Sequence, residues 1–122
     1  MDIEAFVTQV MHANFTLEQV KAVAAANDLS LNGLLDRASL LVARRYQSEV
    51  LTYADADDIM NRIWALIFCQ PVADIVVPEI TREIFEAFDQ GEYRHADDPP
   101  DIDPETKYTK PLLAKAMARW DA

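Results

Sequence analysis

The chain has 122 residues, of which 51% are hydrophobic and 26% are charged, and this is the size and composition of one folded domain. Its formal net charge is −10, and the stretch from Glu79 to Glu105 holds ten carboxylates against only Arg82 and Arg94. Negative charge at this density repels nucleic acids and anionic membranes and attracts basic partners. Two large classes of partner are therefore disfavoured before any motif is considered.

Residue usage predicts an all-α fold. Gly33 and Gly91 are the only glycines, whereas Ala, Leu, Glu and Asp are abundant, and this favours helices over architectures with many tight turns. No internal repeat or linker interrupts the chain. We therefore expect a single helical domain over residues 1–122, built as a compact bundle of about five to six helices with a long acidic proline-containing loop before the C-terminal helix.

The single cysteine and the amino terminus indicate the compartment. Cys69 cannot form an intramolecular disulfide, and its place in the apolar run 63–69 predicts a buried, inert thiol. The amino-terminal residues lack the basic start and apolar core of a secretory signal, and no apolar run approaches the roughly 20 residues that span a bilayer. These features predict a soluble cytoplasmic protein without membrane association.

Apolar spacing predicts four helices in the first 70 residues, each preceded by a side chain that can accept hydrogen bonds from the free NH groups of a first turn. The third helix carries apolar residues as far as Val50 on a face wide enough to contact several neighbours, so we expect it to be central. The predicted caps are Asp2, Thr16 with Gln19 in a capping box, Ser30 and Thr52. The first helix is expected to end near His12 or Ala13, the second near Asn27, and the fourth before Pro71.

The second half of the chain is predicted to hold two more helices. The stretch 72–77 is expected to be a buried connector or a continuation of helix, and Pro78 suits the first turn of a fifth helix that ends before Gly91. From Glu92 to Lys107, three prolines and few apolar side chains predict an extended surface loop of about 15 residues. Thr109 is then expected to cap the last helix.

The acidic loop and the outward glutamates before it are the predicted binding surface. Exposed carboxylates accelerate association with basic proteins, and aromatic side chains beside them either anchor an interface or pin the loop to the helices. The primary prediction is a non-enzymatic protein-binding module that presents an acidic surface to a basic protein partner, in an inhibitor, immunity-type or adaptor role. The predicted contact residues are Glu83, Glu86, Glu92, Tyr93, His95, Asp97, Asp98, Asp101, Asp103 and Tyr108.

Two other functions stay open. One is a transcription-related protein that uses residues 17–42 as a helix-turn-helix, although Asp28 stands where a turn glycine is usual and residues 1–50 carry a net negative charge, which opposes binding to nucleic acid. The other is a metal-binding protein or metal-dependent enzyme, because the carboxylates of the acidic loop are the oxygen ligands that Ca²⁺ and Mg²⁺ prefer. Prolines inside the loop break the pattern of an EF-hand.

The sequence assigns no catalytic residue, no metal ligand and no cofactor. It lacks a nucleophile elbow, and two glycines are too few for the usual phosphate-binding loops, so a binding role is favoured over an enzymatic one. The wide apolar faces of the third and fourth helices leave both a monomer and a homodimer open. The identity of the partner and the biological process are not encoded in any motif.

Overall fold

The computed structural model describes residues 1–121, in which six α-helices pack together and no strand is present. The all-α prediction is confirmed. A turn of 3₁₀ helix lies at Val72–Asp74, and a π-helical segment at Glu105–Thr109 runs directly into the last helix. The α-helices are α1 (Ile3–Val10), α2 (Leu17–Ala26), α3 (Leu31–Gln47), α4 (Tyr53–Ile67), α5 (Glu79–Gln90) and α6 (Lys110–Trp120).

The first four helices begin at the caps that the sequence predicts. In each case a side-chain oxygen accepts a hydrogen bond from the NH group three residues later, which satisfies a donor that the helix itself leaves free. These interactions need only neighbouring residues, and this is why spacing alone locates them. The pairs are Asp2 with Ala5 (2.7 Å), Thr16 with Gln19 (3.2 Å), Ser30 with Gly33 (3.0 Å) and Thr52 with Asp55 (3.2 Å).

Helix α3 lies at the centre, as predicted, and contacts each of the other five helices. It is shorter than its apolar pattern suggests, however, because the helix ends at Gln47. Two residues later, Glu49 takes a left-handed φ of 64°. Val50 follows this turn with 71% of its surface exposed, so the expected inward position of Val50 is wrong. Within residues 1–121, no helix combines the length and the apolar composition that a bilayer crossing requires.

The core is formed by apolar side chains from the inner faces of the helices. Tyr46, Tyr53 and Phe88 join this core as an aromatic cluster, with ring centroids 5.2 to 6.2 Å apart. The cluster connects the end of α3, the start of α4 and the end of α5, and it therefore fixes the end of the bundle from which the acidic segment emerges. The largest fully buried side chains include Phe6, Leu34, Leu35, Ile59, Met60, Ile63, Ile67, Ile84, Phe88 and Leu113.

Two predictions about the segment after α4 are wrong. Helix α4 ends at Ile67, and Cys69 lies beyond that end with its thiol on the surface. The stretch 72–77 is not a buried connector, since Val72 is 88% exposed and Val76 is 65% exposed. Ile75 and Val77 of this stretch are half-buried against the core, but Val72 and Val76 lack neighbours that would cover them.

The last helical region starts earlier than predicted. The Asp103 carboxylate accepts hydrogen bonds from the Glu105 NH at 3.2 Å and from the Thr106 hydroxyl at 2.7 Å, and the helical segment begins at Pro104. Thr109 is no cap, because its buried hydroxyl donates to the Ala87 carbonyl of α5 at 2.7 Å. The acidic loop predicted from Glu92 to Lys107 is thus shortened to residues 92–103. The name acidic loop refers below to residues 92–103 alone.

Candidate functional site

The acidic loop is held at its centre by Asp98. Only 1% of this side chain is exposed, and it accepts hydrogen bonds from the His95 NH at 2.8 Å and from the Tyr108 hydroxyl at 2.6 Å, while Lys107 forms an ion pair with it. The hydrogen bond from Lys107, followed by that from Tyr108, holds the pKa of Asp98 well below its usual range. The Asp98 carboxylate therefore has all its partners within the chain, and it ties the acidic loop to the helical segment that follows.

An aromatic stack attaches the same loop to the helices. The His95 ring lies between Tyr93, at a centroid distance of 4.8 Å, and Tyr108, at 3.9 Å, and both pairs are close to parallel. His95 Nε2 also lies 3.2 Å from the Gln90 carbonyl oxygen at the end of α5. Tyr93 is 49% exposed and forms the outer end of the stack. The stack thus pins the loop and leaves one aromatic face available to a partner.

Three other predicted residues have partners within the chain. Glu83 accepts a hydrogen bond from Trp120 Nε1 at 2.6 Å, and Glu86 forms an exposed ion pair with Arg82 at 3.6 Å. Asp103 caps the segment that follows it. An ion pair as exposed as that of Glu86 contributes little stability, so this carboxylate can exchange Arg82 for another cation at small cost.

The remaining carboxylates of the acidic loop lie on the surface. Glu92, Asp97 and Asp101 are all exposed. The backbone between them is tied by a hydrogen bond from Arg94 to the Pro100 carbonyl at 2.5 Å. Their charges are consequently presented from a fixed loop.

The fold also brings together three carboxylates that we call the carboxylate cluster: Asp57 of α4, Asp89 of α5 and Glu92 of the acidic loop. Burial, followed by the hydrogen bond and the charge of Glu92, raises the pKa of Asp57 to about 7. Burial and the charge of Glu92 also raise the pKa of Asp89. Throughout residues 1–121, no cation forms an ion pair with any of these three side chains.

Sequence reasoning missed two members of the carboxylate cluster. Asp89 belongs to the acidic stretch but had no feature that separated it from the outward glutamates of α5. Asp57 lies 35 residues before Glu92, and its only signal was the short acidic run at Asp55, Asp57 and Asp58. A run of this kind on a helix is usually a solvated face, so only the packing of α4 against α5 shows which carboxylate meets Glu92.

The structure bears differently on the two alternative functions. Asp28 does adopt the left-handed φ of 56° expected of a helix-turn-helix glycine. However, Asn32 of α3 donates to the Val76 carbonyl at 3.3 Å, and Asp36 accepts from Thr81 of α5, so two polar side chains of the predicted recognition helix already have partners within the protein. Among residues 1–121, no three His, Cys, Asp or Glu side chains are arranged to hold a metal ion.

Comparisons of the chain with protein-family models, with curated proteins and with solved structures find no match. The fold and the site together define an all-helical bundle with an anchored acidic loop and a carboxylate cluster beside it. Any statement of function consequently rests on this geometry and on the charge of the chain.

Proposed function

We propose that the protein is a non-enzymatic binding module that presents an acidic surface to a basic protein partner, in an inhibitor, immunity-type or adaptor role. The observation that carries this proposal is the carboxylate cluster of Asp57, Asp89 and Glu92, none of which forms an ion pair with a cation of residues 1–121. Like charges held together reduce the stability of the free protein. Lysine or arginine side chains of a partner would relieve this repulsion when the carboxylates are ionised, so the cluster favours binding to a basic protein.

The anchored acidic loop supports the same proposal. Asp98 and the stack around His95 hold the loop in one conformation before any partner arrives. Binding to a preorganised loop loses less conformational entropy than binding to a mobile one. The exposed carboxylates Asp97 and Asp101 and the exposed ring of Tyr93 therefore form a surface next to the carboxylate cluster that is ready to bind.

The overall charge determines how such binding should behave. A net charge of −10 attracts a basic protein over distances beyond direct contact, which raises the association rate at low ionic strength. Salt screens this attraction over about 10 Å at 0.1 M. We therefore expect an affinity that falls as salt is added, through slower association.

The test uses a cluster variant that carries Asp57→Asn, Asp89→Asn and Glu92→Gln. Immobilised wild-type protein captures partners from extract of the native cell at low and moderate salt, and the captured proteins are identified by mass spectrometry. The affinity of the captured basic protein is then measured for wild type and variant. We expect the variant to bind about tenfold more weakly or worse, with a smaller salt dependence, since contacts of this kind exceed 1 kcal/mol at interface centres.

A matched control separates the local site from the total charge. Glu4→Gln, Glu18→Gln and Asp74→Asn remove the same number of negative charges from exposed positions outside the cluster. This control should keep most of the affinity. Equal affinities of wild type, cluster variant and control, or the capture of no basic protein, would contradict the proposal.

A further inference from the structure

A groove of about 630 Å³ lies on the outer side of the bundle, with walls from three helices. Its apolar lining comes from Trp64 of α4, Phe85 of α5 and Leu112 of α6. The Trp64 and Phe85 rings stack at a centroid distance of 4.2 Å and an interplanar angle of 8°. Leu112 is 40% exposed, and no side chain of the described chain fills the space between it and the rings. We call this feature the aromatic groove.

The aromatic groove has an acidic rim. Glu83, Glu86 and Asp89 of α5 line it, and Lys115 is the only cation among the residues that the structure places along it. Glu83 and Glu86 have partners within the chain, whereas Asp89 belongs to the carboxylate cluster. The groove is consequently continuous with the surface that the proposed function uses.

We propose that the aromatic groove is the docking site for a basic amphipathic helix of the partner protein. Apolar side chains on one face of that helix fill the space beside Trp64, Phe85 and Leu112, and its flanking lysines or arginines meet Glu86 and Asp89. Helices that bind grooves in this way place anchors at positions i, i+3, i+4 and i+7 and polar groups beside them. This inference rests on the proposed function, to which it adds the form of the partner.

Charge complementarity selects this occupant over a second copy of the chain. Two copies each carry a net charge of −10, so contact at an acidic rim is opposed by repulsion. A basic helix instead reduces the repulsion at Asp89 and covers apolar surface at the same time. Trp64 suits the role of central anchor, because tryptophan is prominent among residues that dominate interface energies.

The apolar surface also extends past the groove. Phe68 is 49% exposed, and its ring makes an edge contact with Trp64 at 5.4 Å. An amphipathic helix longer than the groove can therefore continue along α4 towards the exposed segment that follows Phe68. Burial of apolar area is favourable, so this extension adds affinity that charge alone cannot supply.

The inference is tested with three synthetic peptides of about 18 residues, long enough for a helix of several turns. The first contains leucines at the spacing of one helical face and lysines elsewhere. The second has the same composition in a scrambled order without an apolar face, and the third is oligolysine. Binding to the full chain is measured by fluorescence anisotropy of a labelled peptide. We expect the amphipathic peptide to bind about tenfold more tightly than the scrambled one.

Two matched variants locate the binding site. Leu112→Gln should weaken the amphipathic peptide about fivefold to tenfold and leave oligolysine unchanged, whereas Val50→Gln, an exposed apolar residue outside the groove, should change neither. Circular dichroism melts confirm that both variants fold. Equal affinity of the amphipathic and scrambled peptides, or an amphipathic peptide insensitive to Leu112→Gln, would overturn the inference.

The oligolysine measurement separates the two proposals. If oligolysine binds but the amphipathic peptide has no advantage, the aromatic groove is no docking site while the acidic surface keeps its role. If oligolysine also fails to bind at low salt, the proposed function fails with it. Self-association of the wild type that Leu112→Gln abolishes would assign the groove to a second copy and likewise overturn the inference.

Discussion

One oxygen of Asp36 accepts hydrogen bonds from both the backbone NH and the hydroxyl of Thr81, at 2.9 and 2.8 Å. Thr81 is fully buried in the first turn of α5, and Pro78, which directly precedes this helix, offers no side-chain cap. Asp36 of α3 therefore caps α5 from 45 residues away, and Ser39 completes this contact with its hydroxyl 3.2 Å from that of Thr81. The helix that carries Glu86 and Asp89 is fixed to the centre of the fold in this way.

Asp36→Ala should lower the free energy of unfolding by about 2 kcal/mol, because it leaves two donors of a buried residue without an acceptor. Urea denaturation measures the loss. Asp36→Asn keeps an oxygen acceptor and should recover about half of it. An alanine variant as stable as the wild type would show that the contact with Thr81 contributes nothing.

Gly91→Ala should destabilise the protein by about 2 kcal/mol through overpacking. A Cβ at Gly91 would lie 1.9 Å from Thr109 Oγ1 and 3.1 Å from Thr109 Cβ, while the backbone φ of −86° is open to any residue. A double-mutant cycle with Thr109→Ala, measured by thermal unfolding, tests this. The double mutant should lose less stability than the two single mutants lose together. In Gly33→Ala the new Cβ approaches only the Ser30 side chain closely, at 3.1 Å, so this control should be near neutral.

Asp57→Asn should stabilise the protein at neutral and alkaline pH. In the folded protein the pKa of Asp57 is raised from 3.8 to about 7, so the folded state binds the proton more tightly and wild-type stability falls as pH rises between these values. The variant escapes this loss. Its advantage should develop over that range and level off above pH 7 at about 1 kcal/mol, a value reduced for solvent screening of a partly exposed carboxyl.

Asp58→Asn is the control for this pH effect. The neighbouring Asp58 forms an ion pair with Arg62 at 3.2 Å, so its replacement should cost roughly 0.3 to 0.5 kcal/mol at neutral pH. Denaturant titrations from pH 4 to pH 9 compare the three proteins. A constant difference between wild type and Asp57→Asn across this range would refute strain in the carboxylate cluster. Weaker partner binding in the stabilised variant would link that strain to function.

Asp98→Asn should release the acidic loop. Because the pKa of Asp98 lies below its ordinary value of 3.8, the ionised carboxylate contributes stability above that value and loses it as pH falls through the lowered pKa. The variant should therefore be less stable than wild type at neutral pH and equal to it in strong acid. Hydrogen exchange should accelerate within residues 92–103, while Asp97→Asn, an exposed neighbour, should leave exchange unchanged.

Local signals predicted the starts of the helices well and the segments between them poorly. Ser30 and Thr52 cap their helices through NH groups three residues away, so the sequence contains both partners. Cys69 and Val72 were expected to be buried because they are apolar, but apolar character does not state whether a covering neighbour exists. Thr109 resembles a cap in sequence, yet its hydroxyl is used by the distant Ala87 carbonyl.

The sequence by itself determined that the protein is all-helical, that four helices begin at Asp2, Thr16, Ser30 and Thr52, and that the chain carries a net charge of −10. These properties follow from composition and from contacts within one turn. Only the tertiary structure decided that Asp98 holds the loop, that Asp36 caps α5, and that Asp57 and Asp89 meet Glu92. The contacts of Asp36 and Asp57 depend on which helices pack together, and packing joins residues whose separation along the chain gives no sign of it. The role of Asp98 depends on how the loop folds back on the segment that follows it, which spacing alone does not show.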